Sequence, residues 1–295
     1  MAAVLLEGKP LAAELEAEVA AEVAELRARG TTPNLTVVLV GEDPASSVYV
    51  GSKEKACKRV GIDSTTMRLP ASVDQDALLR LLGELNRNPE VHGILVQMPL
   101  PPAIDTAEVL CTIDPVKDVD GFTPENMGRL LSGFPYTLPC TPAGIVRMLE
   151  YYDVPLEGSD VVIIGRSNIV GKPLAVLLVQ KVEGMNCTVT LCHSRTKDIA
   201  RYTREADVVV AAMGSPRFLT ERMVRLGCVV VDVGMNRVKD PSAKKGYRLV
   251  GDVDFDGIAG KAAFITPVPG GVGPLTVAML LKNTLKVARY CECKE

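Results

Sequence analysis

The sequence predicts an α/β fold in two domains. Three observations carry that reading. The chain has 295 residues of which 47% are hydrophobic, enough for two buried cores. Short apolar runs rich in Val and Ile alternate with stretches of helical periodicity, the pattern of parallel strands joined by helical crossovers. Two such series flank a proline-rich interval from Pro99 to Pro142.

In chain order, residues 10–29 (PLAAELEAEVAAEVAELRAR) predict a long amphipathic helix closed by Gly30. A strand follows at 34–40, a helix at 44–60, a strand at 64–69, a helix at 74–87 and a strand at 92–96. The interval 99–142 reads as irregular, and long ordered loops often carry function. After a helix at 141–152, the second series reads strand 160–164, helix 171–182, strands 188–192 and 207–211, helix 220–226 and strand 228–232. That spacing is Rossmann-like. Strand-like 248–250 and an apolar helix at 277–290 complete the chain. The expected boundaries are 1–140 with 274–295 for one domain and 141–273 for the Rossmann-like one.

Composition narrows the partners. With 33 basic against 36 acidic residues, no Trp, seven Tyr and five Phe, nothing suggests a nucleic-acid track or stacking platform, so a small molecule is expected. No apolar run approaches the roughly 20 residues of a bilayer-spanning helix. The opening MAAVLLEGKP is too short for a secretory signal, and Glu7, Glu14, Glu16 and Glu18 argue against a transit peptide, so a cytoplasmic protein is expected. The eight cysteines lack any Cys-x-x-Cys spacing, which points to reduced thiols and no metal site.

The stretch Val161 to Pro173 (VVIIGRSNIVGKP) runs a strand into Gly165 and on to a helix start near Gly171. Such a turn aims backbone N–H groups and a positive dipole end at an anion, and a pyrophosphate fits. The usual second glycine is replaced by Ser167, with Arg166 beside it. The next strand ends in Cys192-His-Ser-Arg195, without the carboxylate that grips the ribose of NAD. Arg166, Ser194 and Arg195 together suit a 2′-phosphate, hence NADP; the alternative is a solvated surface arginine.

In the first domain Tyr49 and Lys53 are four apart on the predicted helix, so ring and amine share a face. Most lysines on so charged a run face solvent, which is the bland alternative. Gln97 follows the strand 92–96, and Asp120 precedes Gly121 in Lys117-Asp-Val-Asp-Gly121. If the sheet is parallel, both loops leave its carboxyl end beside the helix carrying Lys53. A strand cap and an Asx-turn are the structural alternatives.

Taken in order, Tyr49-Val-Gly-Ser-Lys53, Gln97-Met-Pro-Leu-Pro101, Pro115 to Gly121, Pro139-Cys-Thr-Pro142, Gly165 to Pro173 and Ile265 to Thr276 resemble the motifs of the bifunctional methylenetetrahydrofolate dehydrogenase/cyclohydrolase family. The resemblance spans nearly the whole chain. It implies an N-terminal β/α catalytic domain with a parallel sheet and a Rossmann-like NADP-binding domain with a cleft between them, oxidation of 5,10-methylenetetrahydrofolate to the methenyl cation, hydrolysis to 10-formyltetrahydrofolate, and a homodimer. It assigns Lys53 as general acid/base. Gln97 holds Lys53, Tyr49 packs on the aminobenzoyl group, and Asp120 accepts from the guanidine-like edge of the pterin. Val50, Gly51, Ser52, Val96 and Met98 complete the folate contacts of the first domain. Pro269, Gly270, Gly271, Val272 and Gly273 form a backbone segment close to folate. Thr141, Gly165, Arg166, Ser167, Ile169, Gly171, Pro173, His193, Ser194, Arg195 and Met235 are assigned to NADP.

Met235 stands where the resemblance leads one to expect isoleucine, and Lys239 to Gly246 is a longer surface excursion; neither removes a chemical group. Two rivals remain: a dehydrogenase without cyclohydrolase activity, and a cofactor-sensing module without chemistry. Lys53 and the absence of an acidic residue at 192–195 count against the first, an NAD-using form included, and the presence of Tyr49, Lys53, Gln97 and Asp120 counts against the second.

Overall fold

A computed structural model of the chain describes residues 3–243 and 246–292. The chain divides into two compact units, one of Met1–Ala12 with Thr141–Thr276, the other of Ala13–Cys140 with Val277–Glu295.

The second of these is built on a parallel sheet. Helix α1 (Gly8–Ala28) leads into the unit and buries Leu15, Val19, Val23 and Leu26. Strand β2 (Asn34–Val40) is central, flanked by β3 (Asp63–Leu69) and β4 (Gly93–Val96). Val37, Val38, Ile94 and Leu95 are all buried, as a strand covered on both faces requires. The crossovers are α2 (Pro44–Val60) and α3 (Gln75–Arg87). Helix α2 starts where Asp43 accepts from the Ser46 amide at 2.7 Å and Pro44 supplies a preset φ, and it stops at Gly61 with φ 80°.

The interval read as irregular holds two short helices, α4 (Thr106–Thr112) and α5 (Pro124–Leu131). Both have caps that sequence pattern carries in plain form: Asp105 accepts from the amides of Ala107 and Glu108, and Thr123 precedes Pro124 and accepts from Asn126. Their brevity hid the periodicity.

The other unit centres on a six-stranded parallel sheet of order β1-β11-β8-β7-β5-β6. Its strands are β1 (Val4–Leu5), β5 (Asp160–Ile164), β6 (Thr188–Cys192), β7 (Val208–Ala211), β8 (Val229–Asp232) and β11 (Phe264–Ile265). Strand β5 lies between β6 and β7, so chain direction across the sheet reverses there, the switch point at which open α/β sheets bind ligands. Residues 3–12, expected in the other domain, belong to this unit: Val4 pairs with Phe264 and Leu5 with Ile265. Two residues of strand are too few to show alternation.

Around the sheet lie α6 (Cys140–Tyr151), α7 (Gly171–Leu178), α8 (Ile199–Thr203), α9 (Phe255–Ile258) and the start of α10 (Val272–Glu292). Helix α7 ends four residues before the expected 182, because Val179 and Val182 are exposed and offer no further core face. The expected helix at 220–226 is one 3₁₀ turn, Glu221–Met223; Leu226 is 79% exposed and leaves no stripe to bury. Helix α10 begins before the expected 277, since Pro274 sits in its first turn, where no N–H partner is needed. The excursion at 239–246 joins β9 (Asn236–Lys239) and β10 (Tyr247–Val250), an antiparallel hairpin; Lys244 and Lys245 lie outside the described residues.

Candidate active site

The parallel pairing of β2 with β4 extends one residue beyond Val96, where the Gln97 amide donates to Val38 O at 2.9 Å. The side chain of Gln97 therefore emerges at the carboxyl end of the sheet. There Lys53 Nζ donates to Gln97 Oε1 at 3.0 Å, and Gln97 Nε2 donates to Met98 O at 2.7 Å. The amide is thus oriented, oxygen toward the amine. A cis peptide joins Met98 to Pro99. Lys53 is buried at 9% exposure, contrary to the solvated reading that its charged neighbours invite, while Tyr49, one turn earlier on α2, is 40% exposed.

Asp120 arrives by a second backbone route. The Ile94 amide donates to Lys117 O at 2.8 Å and Ile94 bridges Asp118 in parallel, so this segment runs beside β4 and delivers Asp120 level with its end. The buried Asp118 carboxylate accepts from the amides of Gly121 (2.9 Å) and Thr123 (2.8 Å) and from Asn126 Nδ2 (2.9 Å), closing the turn. Gly121 has φ 70°, and a Cβ there would press on Leu138 and Pro139. Burial raises the pKa of Asp120 above the usual carboxylate range, opposed by the charge of Lys53. The neighbouring Cys140 thiol is pushed well up by burial and by Asp120, so it is held protonated and donates to Val119 O at 3.4 Å.

Three residues here escaped the sequence reading as site members: Asp118, Cys140 and Asn283. Asn283 Nδ2, on α10, donates to Val119 O and Leu138 O, both at 2.8 Å. An asparagine inside an apolar helix was the available signal. Of the expected folate contacts, Val50 and Val96 are buried in the core, so they offer a ligand only main chain, and Ser52 Oγ donates to Val48 O at 3.0 Å.

In the sheet of six strands, β5 feeds Gly165 (φ 133°), where a Cβ would collide with the Ala212 carbonyl; at Gly171 a Cβ would collide with the carbonyl of Gly165. Both glycines are demanded by backbone packed against backbone. Ser167 explains its place: its Oγ accepts from the amides of Val170 (3.1 Å) and Gly171 (3.4 Å). These amides, expected to face an anion, are instead capped by the serine. Positive charge comes from side chains. Ile164 pairs with Cys192, so Arg166 and Ser194 each stand two residues past their strand ends. Arg166, Ser194 and Arg195 are exposed, and among the described residues none of these side chains has a partner. Unpartnered cations beside a backbone cradle that admits no side chain fit a phosphorylated nucleotide. His193 Nδ1 accepts from the Arg195 amide at 3.1 Å and shapes this corner. Thr141 Oγ1 lies 2.9 Å from Thr276 Oγ1, and Ile169 is exposed while Pro173 is buried in α7. Met235 is 39% exposed. The segment Pro269 to Gly273 follows a cis Val268–Pro269 bond; Gly270 has φ 114° and its carbonyl accepts from the Gly8 amide at 2.9 Å.

Among the described residues no cluster of side chains suits a metal, none of the cysteines is paired, and no helix is long and apolar enough to cross a membrane. Cys293 lies outside the described residues.

Residues 6–120 match the family described as tetrahydrofolate dehydrogenase/cyclohydrolase, catalytic domain, and residues 139–292 match its NAD(P)-binding domain. The chain is 53% identical to the bifunctional protein FolD of Chlorobium phaeobacteroides, covering 97% of this chain and 98% of the relative. It is 54% identical to that of Chloroherpeton thalassium, with 96% and 97% covered. The bifunctional methylenetetrahydrofolate dehydrogenase/cyclohydrolase of Campylobacter jejuni superposes with a TM-score of 0.92 at 46% identity, covering 98% and 99% of the two chains. The Trypanosoma brucei enzyme, solved with NADP and an inhibitor, superposes with a TM-score of 0.93 at 42% identity, covering 98% of each.

Proposed function

The chain belongs to the tetrahydrofolate dehydrogenase/cyclohydrolase family, and from that premise we propose that it oxidises 5,10-methylenetetrahydrofolate with NADP and hydrolyses the methenyl product to 10-formyltetrahydrofolate. The observation that carries this reading is the buried Lys53 amine donating to Gln97 Oε1 at 3.0 Å, with Asp120 close enough for their charges to interact.

Hydrolysis needs a base for the attacking water and an acid for the nitrogen that leaves when the ring opens. One amine alternating between its two protonation states serves both, provided it is held in place. Gln97 holds Lys53 and is itself fixed through Met98 O. Asp120 takes the guanidine-like edge of the pterin, and Tyr49, half-exposed on the same helix face, packs on the aminobenzoyl ring. Pro269 to Gly273 brings main chain close to folate without side-chain obstruction.

NADP supplies the hydride acceptor. Arg166, Ser194 and Arg195 hold its 2′-phosphate, the turn from Gly165 to Gly171 receives the pyrophosphate, and Thr141, Ile169, Pro173, His193 and Met235 surround the remainder. The oxidation asks no proton transfer of the protein, only alignment of the folate carbon with the nicotinamide at roughly 3–3.5 Å. We further expect a cytoplasmic homodimer, on the family resemblance, which light scattering of the eluted protein and cell fractionation test.

The deciding experiment gives the purified protein methylenetetrahydrofolate with NADP or NAD and follows methenyl and formyl products separately. Both products with NADP support the reading; methenyl accumulating at the uncatalysed hydrolysis rate reduces the protein to a dehydrogenase, and no methenyl at all overturns it.

A further inference from the structure

The cofactor sheet buries two carboxylates that the reaction does not use. Asp252 has no exposed surface and Asp232 is 3% exposed. Both sit at the carboxyl ends of the strands, where the loops after β7 and β8 emerge. Asp252 Oδ2 accepts from the amides of Met213 and Gly214, both at 2.8 Å, and Oδ1 accepts from Asn236 Nδ2 at 2.8 Å. Asp232 holds Asp252 in turn: its Oδ1 accepts from the amides of Gly234 and Asp252, and its Oδ2 from that of Val253, each at 2.9 Å. Glycines make room for the pair, since a Cβ at Gly234 would strike the Asp252 carboxylate and one at Gly251 that of Asp232.

The loop that Asp252 grips is the one across the switch point. Ala212 touches Gly165 so closely that a Cβ on Gly165 has no room, which places Met213 and Gly214 opposite the turn of Arg166 and Ser167. The other tether, Asn236, follows Met235. One carboxylate thus fixes loops on two sides of the nucleotide crevice, with its charge met by hydrogen-bond donors.

We propose that Asp252 is a positioning residue for the nicotinamide nucleotide, acting through the Met213–Gly214 amides and Asn236. This rests on the NADP assignment above. It makes no contact with the nucleotide itself; it sets where the two loops stand when the nucleotide enters.

The test uses Asp252→Asn, which puts an NH₂ group against either the Asn236 NH₂ or the two amides, and the double variant Asp252→Asn with Asn236→Asp, which inverts the pair and restores a donor facing an acceptor. Calorimetric Kd for NADP is the main readout, with folate KM, NADP KM and Tm beside it. The single variant is expected to bind NADP about tenfold more weakly, equal to about 1.4 kcal/mol, with folate KM within about twofold of the parent. The double variant is expected to recover most of that loss. Unchanged NADP affinity in the single variant, or equal losses for NADP and folate, overturns the proposal, as does a double variant no better than the single one. Should Asp252→Asn fail to fold, Asn236→Ala removes that tether together with its 3.3 Å bond to Val250 O while leaving the Met213 and Gly214 amides on Asp252, and NADP affinity within experimental error of the parent is then the overturning result. A parent protein that binds no NADP defeats the functional reading itself, whereas normal parent binding with an indifferent variant defeats only this inference.

Discussion

The two functional regions are built on opposite plans. Around Lys53 the amine, the Gln97 amide and the Cys140 thiol are engaged within the protein: amine to amide, amide to carbonyl, thiol to carbonyl, with Asn283 and Asp118 fixing the backbone that carries Asp120. Around Gly165 the backbone is close-packed, yet Arg166, Ser194 and Arg195 stand exposed, without side-chain partners among the described residues. The difference follows from the tasks. Proton transfer needs a group in one position at the moment of reaction, so its partners are built in. Holding a phosphate needs charge that the protein has not already neutralised.

The largest expected effect breaks the engaged region. Lys53→Met retains most of the side-chain volume and removes the proton carrier, so hydrolysis of the methenyl compound should fall by ~10²–10⁴, while the oxidation, which moves no proton through the protein, falls far less. Separate assays of methenyl and formyl products measure the split. Hydrolysis within a few-fold of the parent would mean that another group moves the proton.

Beneath the exposed region, Asp232 gives a stability effect with a definite sign. Burial raises its pKa from 3.8 to about 6, against the lowering influence of three amide donors. The folded state therefore holds a proton that the unfolded state has released between those values. Its contribution is fully present below about pH 4 and is lost as the pH rises through about 6, amounting to roughly 3 kcal/mol over the window. Urea midpoints of the parent and Asp232→Asn between pH 4.5 and 7 test this, because only the parent carries the titration; a difference between the two that stays constant with pH rejects it.

Arg166→Ala probes the exposed cation. Losing a charge-assisted contact costs ~1.5–3 kcal/mol, so NADP should bind about 10- to 100-fold more weakly while NAD is nearly unaffected. Parallel titrations decide, and equal losses for both nucleotides would remove the 2′-phosphate from this arginine. Because the side chain has no partner among the described residues, the change should leave Tm nearly where it was.

Legibility divides along the same line. The strands at 34–40 and 160–164 stood out because buried parallel strands are continuous apolar runs rich in Val, Leu and Ile. Tyr49, Lys53, Gln97 and Asp120 came from motifs that local spacing could place on a helix or after a strand. What stayed hidden depends on distant partners. Asn283 meets Val119 from 164 residues away, and Asp252 meets Met213 from 39 away; no local pattern encodes either. Ser167 was visible, but its role was not: only the folded turn shows its hydroxyl accepting from the helix amides that were expected to be free. Helices α4 and α5 were lost for a different reason, each being too short for a period to repeat.

The smallest expected effect sharpens the contrast by sparing both plans. Met235 is partly exposed, and its Cε lies 3.5 Å from where a Cβ on Gly273 would stand, so it presents an apolar end beside that segment. Met235→Ile keeps apolar character and similar volume, a change that usually costs below ~1.5 kcal/mol. Thioether flexibility lets methionine adapt to a nucleotide, and a branched side chain with fewer rotamers trades that adaptability for order. NADP KM is expected to move by less than about threefold, with the hydrolysis rate untouched because neither side chain carries a proton. Steady-state kinetics with both substrates measure it. A tenfold or greater change in NADP KM would show that shape at 235 sets cofactor binding as firmly as charge at 166, and the plan assigned to the exposed region would then need a rigid apolar wall as well as free cations.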